Sequence, residues 1–131
     1  MEIVTKSRIE SVFRKEFGLI ESKFRVIDIS VPLLLASKEE FIYNPGVYVF
    51  YKGADVIKVG RHLQNSRKRA WQHIQDNTCN GEIQMKDLAA DPEAKVLLLN
   101  VIDPKDSHWV AAVEIYLESS LYPMIQSKRL A

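Results

Sequence analysis

Residues 44–73, NPGVYVFYKGADVIKVGRHLQNSRKRAWQH, join two different patterns in one continuous segment. Gly46 to Tyr51 and Val56 to Gly60 are apolar runs separated by KGAD. Gly53 in that connection can adopt the positive φ that a tight reversal demands. The first half of the segment therefore predicts a β-hairpin.

The second half of the segment is helical in pattern and strongly basic. From Ser66 to about Gln75, Ala70, Trp71 and Ile74 form an apolar stripe, and Asn65 or Ser66 can serve as the N-cap. The guanidinium group of arginine and the N-terminus of a helix both bind phosphate oxygens. A solvated basic surface is the simpler alternative. The cations occur with no acidic residue between them: Lys58, Arg61, Arg67, Lys68 and Arg69.

The flanking sequence predicts the other elements. Ser7 and Glu10 have capping-box spacing, which predicts the start of an N-terminal amphipathic helix. The remaining predicted elements are a strand over Phe24–Ser30, a doubly buried central strand over Ala94–Ile102, and a helix from Asp106 or Ser107 to Pro123. The order helix, strand, hairpin, helix, strand, helix predicts an α+β fold in which helices pack over a small sheet.

Composition narrows the class of protein. A chain of 131 residues with 47% hydrophobic content suits one compact domain. No secretory signal pattern and no apolar run of about 20 residues is present, so we expect a cytoplasmic protein with no membrane partner. The formal net charge of +1 does not favour nucleic acid, so any such argument depends on local clustering. Cys79 has no disulfide partner and no zinc-type spacing, and we interpret it as a structural or incidental thiol.

Four elements in this order resemble the GIY-YIG nuclease superfamily. They are GVY at residues 46–48, KVG at 58–60, NSRKRAWQH at 65–73 and VEIYLESSLYP at 113–123. The resemblance covers residues 45 to about 126. It implies a small, mainly antiparallel, three-stranded central sheet flanked by helices over residues 45–131, with residues 1–44 as a helix and strand extension packed on this core.

The resemblance implies a metal-dependent endonuclease that hydrolyses DNA, with RNA as an alternative substrate. Glu114, nine residues before Pro123, inherits the role of ligand to Mg²⁺ or Mn²⁺. Helical geometry agrees, since it places Glu114 at the flank of the apolar stripe and Glu118 further toward solvent. Arg69 matches the arginine that contacts the scissile phosphate. His73, one turn later, is a general acid, a supporting hydrogen-bonding group or an ordinary surface histidine.

Lys58 stands where the superfamily has the tyrosine of YIG, which leaves the general base open. Neither a phenol nor an ammonium group is a base at its reference pKa near 10. One scheme uses neutral Lys58 as the base. The other, which we prefer, keeps Lys58 charged as a phosphate clamp and uses Tyr48, whose phenolate form cationic neighbours would favour.

Further residues are candidate contacts to phosphate or DNA. Gly60 would allow close approach of the backbone, and Gln126 stands where the superfamily often has asparagine. The other candidates are Arg61, His62, Arg67 and Lys68. Two alternatives to the enzyme remain: a GIY-YIG-type module that binds nucleic acid with weak or no catalysis, and a domain that binds a protein partner. The oligomeric state is open, with a homodimer among the options.

Overall fold

The computed structural model describes residues 2–77 and 84–126, with side chains from Thr5 onward. Cys79 lies outside these residues. Short 3-10 turns connect several of the main elements. In chain order those elements are α1 (Glu2–Phe17), β1 (Phe24–Ser30), β2 (Gly46–Lys52), β3 (Asp55–His62), α2 (Ser66–Gln75), β4 (Ala94–Val101) and α3 (His108–Leu121). The predicted α+β class and element order are confirmed.

The central sheet has four antiparallel strands in the order β1-β4-β2-β3. The expected count of three is wrong, because β1 pairs with β4 along its whole length, from Phe24 opposite Val101 to Ser30 opposite Lys95. β4 is an inner strand, which agrees with its nearly unbroken aliphatic sequence. β3 forms one outer edge of the sheet.

The β2–β3 hairpin forms as predicted. Gly53 in its turn has a φ of +59°, a conformation that is costly for other residues. Tyr48 lies opposite Gly60, and Phe50 lies opposite Lys58. An irregularity in the ladder follows between Phe50 and Tyr51. This register determines which residues of the two strands meet at the candidate site.

Helices cover both faces of the sheet and create two separate cores. α1 and α3 pack on the face formed by Val47, Val49 and Leu99. α2 and two short 3-10 turns pack on the face formed by Tyr48, Phe50 and Leu98. The side chains of α2 and α3 therefore approach β3 from opposite sides.

α1 begins before the predicted capping box. Ser7 lies inside the helix, where it is exposed, and does not cap the first turn. The helix extends further toward the N-terminus because residues before Ser7 make contacts of their own. The Thr5 hydroxyl donates a hydrogen bond to the carbonyl of Gly53, and Ile9 and Phe13 are buried against the sheet. In the described ranges, 2–77 and 84–126, no helix has both the length and the apolar character needed to cross a membrane.

Candidate functional site

Tyr48 lies across the edge strand because its cross-strand neighbour has no side chain. Tyr48 on β2 faces Gly60 on β3, and only 2% of its surface is exposed. A Cβ at position 60 would collide with the ring and the hydroxyl of Tyr48. Gly60 therefore makes room for the phenol on the outer strand, which is its role in this structure.

α2 brings two groups to the Tyr48 hydroxyl. The side chain of Asn65 accepts a hydrogen bond from the backbone N–H of Lys68 at 3.0 Å and thereby fixes the first turn of the helix. Nε2 of His73 lies 2.7 Å from the Tyr48 hydroxyl. Arg69, one turn earlier, donates from Nη1 to Oε1 of Gln72 at 3.2 Å, and its charge lowers the pKa of Tyr48. The spacing of four between Arg69 and His73 places both on the helix face that contacts the phenol.

Burial keeps Tyr48 protonated. Its pKa is raised well above the ordinary value of 10, mainly because burial disfavours the phenolate. The charge of Arg69 lowers this pKa and the charge of Glu114 raises it. The expectation that cationic neighbours alone would favour the phenolate is therefore wrong, since the desolvation of the ring outweighs them.

His73 is the group that can accept the phenolic proton. Burial, and then the charges of Lys58 and Arg69, lower the pKa of His73 from 6.5 to about 4. The imidazole is therefore neutral at pH 7. One ring nitrogen of a neutral imidazole is an acceptor, so the O–H of Tyr48 can donate to Nε2 of His73 at 2.7 Å.

Lys58 is a buried cation on the same face of the sheet. Only 6% of its surface is exposed, and it precedes Gly60 by two residues on β3. The chain after α3 returns along this strand, where the N–H of Ile125 donates to the carbonyl of Ile57 at 2.8 Å. Lys58 is therefore held in place by the fold, and its charge acts on His73.

Glu114 approaches the same region from the other face. It lies on α3 and is 2% exposed. Its Oε1 accepts a hydrogen bond from Nη1 of Arg61 on β3 at 2.9 Å. The charges of Glu114, Arg61 and Arg69 all influence the pKa of Tyr48. Although α2 and α3 are on opposite faces, the charges of Arg69 on one helix and Glu114 on the other both act on the Tyr48 hydroxyl.

Three candidate residues, His62, Arg67 and Gln126, make side-chain contacts with backbone groups of the surrounding segments. The backbone N–H groups of Gln64 and Asn65 donate to Nδ1 of His62 at 3.1 and 2.8 Å, so neutral His62 carries its proton on Nε2. Burial and the charges of Arg69 and Lys68 lower the pKa of His62.

Arg67 donates to the carbonyl of Leu35 at 2.9 Å and stacks on the ring of Tyr43, so it secures a loop. Gln126 donates to the carbonyl of Pro123 at 3.1 Å, and Lys68 is exposed on α2. These contacts do not place Arg67, Lys68 or Gln126 beside the Tyr48 hydroxyl.

Glu118 lies slightly further toward solvent than Glu114, as helical geometry predicted, but both carboxylates are buried. It is 7% exposed, compared with 2% for Glu114. Residues four apart share one face of a helix, and here that face is covered by the sheet. The apolar stripe alone did not show how wide the covered face of α3 is.

Asn100 is a supporting residue that the sequence patterns did not indicate. It is fully buried on β4, where its Oδ1 accepts a hydrogen bond from the Ser66 hydroxyl at 2.5 Å and its Nδ2 donates to the carbonyl of Phe41 at 2.9 Å. A Cβ at Gly46 would collide with the Asn100 side chain. Asn100 thus joins the start of α2 to the loop before β2. The only sequence signal is one polar residue in an aliphatic run.

The donor groups are compatible with a divalent ion bound by a single carboxylate. Within residues 2–77 and 84–126, no group of three or more His, Cys, Asp or Glu side chains is arranged to hold a metal. Mg²⁺ commonly uses only one or two carboxylates and completes its shell with water and substrate phosphates. The buried Glu114 carboxylate, already neutralised by a cation, has the chemistry of such a ligand.

Comparisons with known proteins do not assign the chain to a family. No protein-family model matches the chain, and no curated protein or solved structure is significantly similar to it.

Proposed function

We propose that this protein is a divalent-metal-dependent endonuclease of the GIY-YIG type that hydrolyses phosphodiester bonds in DNA. The observation that carries the proposal is the set of groups around one phenol. The Tyr48 hydroxyl is hydrogen-bonded to His73, and its pKa responds to the charges of Arg69, Glu114 and Arg61. These residues come from both faces of the sheet and are distant in sequence.

The cations suit a phosphodiester. The planar guanidinium group of Arg69 matches two phosphate oxygens. Lys58 is buried nearby and adds a second positive charge. Both groups stabilise the extra negative charge that develops on the phosphoryl oxygens in the transition state. In this proposal Lys58 is the phosphate clamp and Arg69 contacts the scissile phosphate.

The Tyr48–His73 pair supplies the general base. As water attacks phosphorus, its proton passes to the oxygen of Tyr48 while the phenolic proton passes to Nε2 of His73. Without bound substrate, His73 is a weak base because its pKa is about 4. A bound phosphate offsets the charges of Lys58 and Arg69, which are two causes of that low pKa. Substrate binding therefore makes His73 a better proton acceptor.

Glu114 is the proposed ligand for Mg²⁺ or Mn²⁺. A divalent ion at this position would polarise the phosphoryl group and neutralise the charge of the leaving oxygen. Arg61 adds a further cation at the sheet edge, next to Gly60.

The alternative function is a module that binds nucleic acid with little or no catalysis. Two observations favour it: Lys58 replaces the expected tyrosine, and the Glu114 carboxylate is already paired with Arg61. Such a module would show DNA affinity that falls steeply with salt, because phosphate contacts release counterions. It would show no turnover. A domain for a protein partner would show neither property.

Nicking of supercoiled plasmid tests the proposal. Wild-type protein with Mg²⁺ or Mn²⁺ should convert the plasmid to the open circular form, and Glu114→Gln should reduce the rate at least about 100-fold, as expected for loss of a group that stabilises transition-state charge. Asp28→Asn is the matched control. Asp28 is also a partly buried carboxylate that accepts a side-chain hydrogen bond, from Tyr51 at 2.8 Å, but it lies on β1 at the far edge of the sheet.

The results separate the candidate functions. Metal-dependent nicking that persists in Asp28→Asn and is lost in Glu114→Gln supports the enzyme. Salt-sensitive DNA binding without nicking in any metal rejects the enzyme and favours the binding module. Equal nicking by wild type and Glu114→Gln removes Glu114 from the mechanism.

A further inference from the structure

Tyr43 is a large aromatic side chain that the fold holds at the surface, where 51% of it is exposed. The residues on both sides of it are anchored. Ile42 is fully buried in the core. Nδ2 of Asn44 donates to the carbonyl of Val101 at 2.8 Å, and the carbonyl of Asn44 accepts from the N–H of Ser66 at 3.1 Å. The backbone of Tyr43 is therefore fixed beside the first turn of α2.

Arg67 on α2 covers one face of this ring. Its Cζ lies 4.5 Å from the ring centroid of Tyr43. Nη1 of Arg67 donates to the carbonyl of Leu35 at 2.9 Å, which fixes the guanidinium group over the ring. Half of the tyrosine remains exposed although one face is covered, so a planar ligand can reach the other face.

Folding stability alone does not explain this stack. Nε of Arg67 is buried and has no hydrogen-bond partner within residues 2–77 and 84–126. A buried donor without a partner costs free energy comparable to that gained from a hydrogen bond, so it offsets the contact with Leu35. An exposed ring also stabilises the fold little, because the hydrophobic contribution grows with the apolar area removed from water. The arrangement of Tyr43 and Arg67 therefore suits a ligand.

The stack lies close to the proposed phosphate site but on the other flank of α2. At 100° per residue, the side chains of Arg67 and Arg69 are about 160° apart, and the buried residues Ser66 and Ala70 lie between them. A helix with its side chains is about 10–12 Å wide, and successive nucleotides of one strand are about 3.4 Å apart. A strand with a phosphate at Arg69 can therefore reach Tyr43 about three nucleotides away.

We infer that Tyr43 and Arg67 form a stacking site for an unpaired base, so that the protein prefers DNA with unpaired bases close to the scissile phosphate. This inference rests on the proposed function, because it takes DNA as the substrate. Bases inside a duplex stack on one another and present only their edges in the grooves. An aromatic face can therefore stack only on a base that has left the duplex. Aromatic rings and arginine bind such bases through their π faces, whatever the sequence.

Metal-free binding assays test the stacking site without any cleavage. Fluorescence anisotropy in EDTA compares a fully paired duplex with a duplex of equal length that contains a short internal loop of unpaired thymines. Wild type should bind the looped duplex more tightly. Tyr43→Leu should bind the looped duplex about tenfold more weakly, as expected for the loss of one stacked base, and the paired duplex as wild type does. Tyr43→Phe keeps the ring and should retain the preference.

A fluorescent base reports the stacking directly. 2-Aminopurine in the loop should be quenched when wild type or Tyr43→Phe binds, and much less when Tyr43→Leu binds. Tyr122→Leu is the matched control, because Tyr122 is also exposed, at 78%, but follows α3. It should behave as wild type does. Thermal melting checks that each variant is folded, and Tyr43→Gln, for which the same loss is expected, replaces Tyr43→Leu if the latter is unstable.

The outcomes separate the stacking site from the enzyme. Equal affinity of wild type for the two duplexes, or an unchanged preference in folded Tyr43→Leu, overturns the stacking site, and metal-dependent plasmid nicking would still support the enzyme. A preference that is lost in Tyr43→Leu supports the stacking site, even if no metal supports nicking and the protein is a binding module. No binding of either duplex by wild type contradicts both the stacking site and the proposed function.

Discussion

Acidification should destabilise this protein through His73. Its pKa is about 4 in the folded state and 6.5 when it is exposed in the unfolded chain. The unfolded state therefore takes up more protons as the pH falls below 6.5, and stability falls continuously until the pH is below 4. The linkage relation gives a loss of about 2 kcal/mol between pH 7 and pH 5 from this group alone.

Urea denaturation at the two pH values measures this loss. The free energy of unfolding is obtained by linear extrapolation for wild type and for His73→Gln. Glutamine does not titrate and retains an oxygen that can accept from Tyr48. Other titrating groups contribute equally to both proteins, so the difference between the two pH-dependent losses isolates His73. His108→Gln, an exposed histidine at the start of α3, should behave as wild type does.

The result also bears on catalysis, since the same burial keeps the imidazole neutral and able to accept a proton. If His73→Gln loses as much stability as wild type between pH 7 and pH 5, His73 is not a buried neutral base. The proposed transfer of the phenolic proton to Nε2 would then have no support.

Three further substitutions test individual contacts. Gly60→Ala should cost about 1–3 kcal/mol of stability, because its Cβ collides with Tyr48, whereas Gly18→Ala, which meets no atom within 4 Å, should cost nothing in the same melts. Unchanged stability of Gly60→Ala would refute the close approach. Tyr48→Phe should remain folded but nick plasmid at least about 100-fold more slowly, as expected for loss of a general base, and retained nicking would exclude the phenol. Asn100→Leu leaves buried groups, including Ser66, unpaired and should cost about 1–3 kcal/mol in urea, so a neutral result would contradict its supporting role.

Much of the fold follows from local patterns in the sequence. The bounds of α2, the hairpin reversal at Gly53 and the buried character of β4 agree with hydrophobic spacing and turn chemistry. The pairing of β1 with β4 was not predictable in this way, because alternation marks a strand but does not identify its neighbour. The start of α1 also depends on a distant contact, from Thr5 to Gly53.

The candidate site was predictable to the extent that it depends on spacing. The interval of four residues correctly placed Arg69 and His73 on one face of α2. The burial of His73, and hence its low pKa, depends on how closely α2 packs on the sheet, which no spacing reveals. The Arg61–Glu114 pair joins residues 53 positions apart across the edge of the sheet, so it too required the structure.

A crystal structure with Mn²⁺ and a short phosphorothioate duplex tests the central claim most directly, namely that groups from both faces of the sheet act on one phosphate. The account predicts an anomalous manganese peak coordinated by Glu114, with a DNA phosphate contacting Arg69 and the Tyr48 hydroxyl beside it. A phosphate bound elsewhere on the protein, or manganese with no contact to Glu114 at saturating concentration, would contradict the account.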